Sequence, residues 1–192
     1  MVLTMEKSAG ASCYWGHMDL RRLTTGMVFV VMAVFAGGAP ARAEGLTAKA
    51  SLVQARASAR SWRADAVLIR INATSVSADG SSNIWSYGFY SSAAKNCLVV
   101  TVASGKTIDT TESGGAICAE SELVDFMDSN RAMQIAVRNG IKQAGPTMGV
   151  MNTPTAKGNR VVWIVYEGLK SGDPSVTIDA RTGEVLEKMK MP

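Results

Sequence analysis

Residues 85–106 read WSYGFYSSAAKNCLVVTVASGK and residues 163–184 read WIVYEGLKSGDPSVTIDARTGE, and the fold is decided by how these two stretches are matched. Aligned without a gap, Trp85 falls on Trp163, Leu98 on Val176, Val100 on Ile178 and Gly105 on Gly183, each pair 78 positions apart. Each Trp follows an apolar residue, Ile84 or Val162, and before that a turn-forming stretch. Asp79-Gly80-Ser81 supplies the first turn and Lys157-Gly158-Asn159 the second. A period this long is outside the solenoid range of roughly 20–50 residues and fits two small units side by side.

Working outward, each copy reads as a helix followed by strands. In the first, Leu46, Ala50, Val53 and Ala57 recur at helical spacing among many further alanines. Val67, Ile69, Ile71 and Ala73 alternate as one face of a strand, with Arg70 and Asn72 on the other. Ile84–Ser91 and Leu98–Ala103 follow as strands separated by a polar turn. In the second copy Asp128 or Ser129 can cap a helix that runs through Asn139 and stops at Gly140, with Ile135 and Ala136 facing the core. The stretch from Gly145 to Gly158, rich in Gly, Pro and Thr, reads as a loop with a short strand inside it. Val161–Tyr166 and Val176–Ala180 form a hairpin, and Thr182-Gly183 turns the chain into a last strand, Val185–Lys188. The expected fold class is α+β: two tandem helix-plus-antiparallel-sheet units, residues 44–120 and 121–192.

Ahead of both units, the apolar run Met27–Ala36 follows Arg21-Arg22 and precedes Ala41-Arg42-Ala43. Basic flank, short apolar run and small-x-small site make residues 1–43 a signal peptide, and translation from Met18 would give it a compact form beginning MDLRR. Ten apolar residues reach only ~15 Å as a helix, about half of a hydrocarbon core, so no stable membrane span is expected after cleavage. The expected location is the periplasm or the medium. The whole chain carries 20 basic and 16 acidic residues, but the leader takes Lys7, Arg21, Arg22 and Arg42 with Glu6 and Asp19. The near balance that remains argues against nucleic acid as a partner.

His17, the single histidine, also lies in the leader, which excludes Ser-His, Cys-His and imidazole-zinc chemistry from the mature chain. No G-x-S-x-G, H-E-x-x-H or GxxxxGK[ST] pattern occurs, so no catalytic residue, cofactor or metal ligand is assigned. With Cys13 removed, Cys97 and Cys118 remain. In an exported chain they read as a disulfide, and two separate buried thiols are the alternative.

The stretch VTIDARTGEV, residues 176–185, resembles the terminal hairpin of the PepSY family, in which a strand reaches Asp-Ala-x-Thr-Gly and reverses. The Ala-containing helix with IAVRNG and the following strand with a central Trp agree with that resemblance. The first copy is similar but degenerate, with Thr-Val-Ala-Ser-Gly in place of Asp-Ala-Arg-Thr-Gly. The resemblance implies a cystatin-like helix-on-sheet layer in each unit and a non-enzymatic protein that inhibits or regulates a peptidase at the cell envelope. A carrier of a small apolar ligand, held between helix and sheet, is the second reading.

Three groups of residues are candidates for contact with a partner. Trp85, Tyr87 and Phe89 share one strand face. They pack between sheet and helix if Ile84 points outward, and form an exposed aromatic interaction surface if Ile84 points inward. Lys49, Arg56, Arg60 and Arg63 fall within about 60° on a helical wheel, as either a solvated face or a site for a carboxylate-rich partner. Glu120, Glu122, Asp125 and Asp128 lack the spacing of an EF-hand and mark the approach to the second helix. Titrating thiols on the denatured, unreduced mature chain separates the two cysteine readings: none is expected, and two would exclude the bridge.

Overall fold

In the computed structural model the described residues are 45–114, 118, 121–142, 145–155, 158–168 and 170–190. The leader, its cleavage site and the alternative start at Met18 lie outside them.

Helix α1, Ala48–Trp62, begins at Thr47, whose backbone is extended and whose hydroxyl accepts from the Ala50 amide. It buries Ala48, Ser51, Leu52, Ala55 and Ala59. This is not the expected stripe: Ala50, Val53 and Ala57 are exposed, Val53 to 73%. In a helix so rich in alanine the apolar pattern does not fix the buried face. The stripe of small residues wins because it lets the helix backbone lie close to the rings beneath it.

Those rings come from the sheet. Strand β1 is Val67–Ala73, β2 Ile84–Ser91, β3 Asn96–Ala103 and β4 Lys106–Gly114. Helix α2, Ser129–Arg138, precedes β5 Thr147–Thr155, β6 Gly158–Tyr166, β7 Pro174–Asp179 and β8 Val185–Lys190. The strands form one eight-stranded antiparallel sheet in the order β4-β3-β2-β1-β5-β6-β7-β8. Two separate helix-plus-sheet units are therefore overturned in favour of a mostly-β fold. The strand that joins the halves is β5, most of the stretch read as loop. It pairs with β1 from Arg70↔Met151 to Ala73↔Met148 and with β6 along its whole length. Gly149 and Pro154 hid it, because both are poor strand residues when read locally. Tertiary packing uses the glycine, since a Cβ there would sit 3.2 Å from the Ile71 carbonyl oxygen. Strand β4 was also missed, since its residues are almost all exposed and offer no apolar alternation.

Within β1 the register shifts between Leu68 and Arg70. The bulge puts Leu68 and Ile71 on the helix side and sends Ile69 to the opposite face. The expected run Val67, Ile69, Ile71 and Ala73 on one face is thus broken after Ile69. There Ile69 packs with Cys97 and Cys118, which form a disulfide with Cα atoms 5.7 Å apart.

The aromatic triplet of β2 faces the helices. Trp85, Tyr87 and Phe89 are 0%, 0% and 1% exposed, while Ile84 is 51% exposed. The expected interaction surface at these three residues is therefore corrected: they are core. Their polar ends are satisfied there, as burial requires. Trp85 Nε1 donates to the Leu46 carbonyl at 2.7 Å and the Tyr87 hydroxyl to that of Ala48 at 2.8 Å. Burial pushes the Tyr87 hydroxyl far above its usual pKa. Trp163 is placed likewise in β6, fully buried, its Nε1 donating to the Met127 carbonyl at 2.9 Å. Both tryptophans belong to one continuous core that takes side chains from both helices.

Each tryptophan thus grips the residue before a helix cap, and the two caps meet. Asp128 Oδ1 accepts from Ser129 N at 2.8 Å and from Lys49 N at 2.9 Å, and its Oδ2 from Thr47 Oγ1 at 2.7 Å. Ser129 Oγ accepts from Ala48 N at 2.9 Å and donates to the Gly80 carbonyl at 2.7 Å. Gly80 has φ +80, and an added Cβ would lie 2.5 Å from the backbone of Ser129 and Asn130. Substituting Asp128→Ala should cost about 2 kcal/mol in urea denaturation, more than a single cap, because two helix starts lose their acceptor together. A loss under about 0.5 kcal/mol would show that the caps are independent.

Candidate functional site

Beyond the junction, the chain entering α2 runs alongside α1 without closing on it. Leu123 N donates to Leu68 O at 2.7 Å, at the β1 bulge, and Met127 N to Ala180 O at 2.6 Å. Arg181 Nη2 adds a longer bond to the Val124 carbonyl, 3.4 Å. Asp125, at φ +53, turns the backbone between these anchors. Leu123 and Phe126 point inward, 2% and 5% exposed, and Val124 points out. The Phe126 ring meets Trp163 edge to face, with centroids 6.5 Å apart.

Between this strap and α1 lies a cleft of about 800 Å³. Leu52, Leu123 and Phe126 line its apolar part, and Val53 and Val124 are exposed on its two sides. Lys49, Arg56 and Arg60 line it from the helix, Glu122 and Asp125 from the strap. A smaller hollow of about 150 Å³ shares Arg56, Arg60 and Glu122 and continues to Ala66, Val67 and Leu68. Lys49 Nζ sits 5.0 Å from the Phe126 ring centroid, which fixes one end of the cationic wall. No ion pair joins the two walls among the described residues.

The structure thus assembles part of each charged group read from sequence. Arg63 leaves the basic stripe, since it ends α1 in extended backbone with its guanidinium 5.8 Å from the Trp62 ring. Asp128 leaves the acidic group to cap the helices, and Glu120 lies outside the described residues. Sequence reasoning missed Leu123, Val124 and Phe126. Their signal was present as apolar residues interleaved with the acids in ELVDFMD, residues 122–128. No cluster of three or more metal-ligating side chains occurs among the described residues.

The Asp-Ala-Arg-Thr-Gly motif has a structural part to play. Asp179 Oδ1 accepts from the amides of Arg181 and Thr182 at 3.0 and 2.9 Å, and Oδ2 from Arg160 Nη1 at 2.6 Å. Gly183, at φ +83, closes the turn by donating to Asp179 O. Burial raises the Asp179 carboxyl, but the Thr182 amide, the Arg160 guanidinium and the Arg181 amide outweigh it and hold the pKa below the usual carboxylate value.

No family model matches the chain, and no curated protein matches it. Among solved structures it is similar to a "putative lipoprotein" from Clostridium difficile 630, with a TM-score of 0.55 at 11% identity over 72% of this chain and 91% of that one. At that identity the likeness is one of fold.

Substituting Asp179→Asn should lower stability at pH 7 by about 2 kcal/mol, since it weakens charge-assisted bonds in a buried turn. A carboxyl whose folded pKa is depressed stabilises above its unfolded pKa and loses that contribution as pH falls through the folded value. The gap between wild type and variant should therefore hold near neutrality and shrink below about pH 4 in denaturation curves. A gap unchanged at pH 3 would deny the charge its role.

Proposed function

We propose that this chain is an exported protein-interaction module with no catalytic chemistry of its own, and that it holds a segment of its partner in the cleft between α1 and the strap. The cleft carries the reading. It joins apolar contact area to charges of both signs that form no ion pair among the described residues, and its volume is within the usual range of binding clefts, about 300–1,000 Å³. Export is supported by the leader pattern and by the Cys97–Cys118 disulfide, which belongs to an oxidising compartment. The lipoprotein name of the similar structure fits that placement. A peptidase is the partner class that the PepSY-like hairpin at residues 176–185 implies. The interaction reading is preferred to the carrier reading because Trp85, Tyr87, Phe89, Met133, Met148 and Trp163 are buried together in the core between helices and sheet.

The test is retention on immobilised mature chain from an envelope extract, with wild type beside the Val53→Asp variant. Val53 is 73% exposed, so the variant should fold like wild type, and its circular dichroism spectrum checks this. A peptidase or other envelope protein retained by wild type and reduced several-fold by the variant is expected. Empty wild-type columns, or equal retention by both, would refute the cleft as the interaction site.

A further inference from the structure

The chemistry of the cleft walls narrows what the segment must be, and this inference rests on the interaction-module reading. Helix α1 carries Lys49, Arg56 and Arg60 along the cleft, with no acidic residue anywhere between Ala48 and Trp62. None of the two arginines' guanidinium groups is engaged by a carboxylate among the described residues. Arg56 and Arg60 stand one turn apart, ~6 Å along the axis, and Lys49 stands ~10 Å before Arg56. An extended chain repeats its side chains on one face every ~6.6 Å. Two acidic side chains at positions i and i+2 of an extended segment therefore match Arg56 and Arg60 in register. A third acid on the same face falls two or four residues nearer the Lys49 end, ~6.6 or ~13 Å along, to either side of the ammonium held over Phe126.

The opposite wall selects the other face. Glu122 and Asp125 would repel acids on the strap side, and the exposed Val124 and Val53 offer apolar contact between the charged rows. We propose that the occupant is an extended peptide segment of the partner, with acidic side chains on the α1 side and apolar or basic side chains on the strap side. An apolar chain without acids would leave the three cations unpaired. A uniformly acidic polymer would meet Glu122 and Asp125, so a polyanion is disfavoured. Charge of both signs, in fixed positions, makes the cleft directional as well as selective.

The measurement is fluorescence anisotropy of the full mature chain with labelled eight-residue peptides. One probe alternates glutamate with valine, a second alternates lysine with valine, and a third is octaglutamate. Wild type should bind the glutamate–valine peptide at least tenfold more tightly than the other two, and several-fold more weakly in 500 mM than in 50 mM salt. The Arg56→Glu, Arg60→Glu double variant should lose at least tenfold for that peptide and gain affinity for the lysine–valine peptide. Both arginines are exposed on α1, and circular dichroism of the variant should match wild type. No preference for the glutamate–valine peptide, or no exchange of preference in the double variant, overturns the assignment. If a partner is still retained in a Val53-dependent way when the peptides fail, the interaction reading stands and only the chemistry of the segment is wrong.

Discussion

One carboxylate stands where two helices begin. The exposed amides at a helix start carry partial positive charge, and bringing two starts together without an acceptor would be repulsive. Asp128 removes that conflict by accepting from the first turn of α2 and, across the junction, from Thr47 and Lys49 of α1. Ser129 binds the same point to Ala48 and to the turn at Gly80. Trp85 and Trp163 then fix the residues preceding each cap from below. The helices are pinned at this end, and the spacing between α1 and the strap follows from it. The cleft is thus a consequence of a satisfied junction rather than of loose packing.

The sheet supplies the rigid floor. Its central pair is β1–β5, in which Gly149 allows the backbone of β1 to approach and the bulge in β1 redirects Ile69 away from the helices. That single redirected side chain gives the opposite face its own small cluster around the disulfide. The same bulge places the Leu68 carbonyl where Leu123 can donate to it, so an irregularity in one strand anchors the strap that walls the cleft.

Much of the local structure was legible along the chain. The repeat located the two tryptophans in equivalent strands, and the cap at Asp128 and the stop at Gly140 were readable from residue type alone. The β2 alternation was readable too, but not its direction. Period-2 patterning defines two faces and cannot say which is wet, and Ile84 is apolar enough to suit either. On α1 the same ambiguity arose from alanine, which contributes too little burial to orient a helix. Half of the candidate site was legible as the basic stripe. The other half was not, because Glu122 and Asp125 become a cleft wall only when the strap is laid beside α1.

By itself the sequence determined the repeat, the places where helices start and strands turn, and a pair of cysteines with few uses other than each other. These follow from short-range rules, since caps, turns and alternation depend on neighbours a few residues apart. Only the tertiary structure decided that β5 would fuse the halves into one sheet, that Trp85, Tyr87 and Phe89 would be core, and that Lys49, Arg56 and Arg60 would face Glu122 and Asp125 across an open cleft. Each of those outcomes is a choice between nearly equivalent local options, and it is settled by contacts between residues 39 or more positions apart.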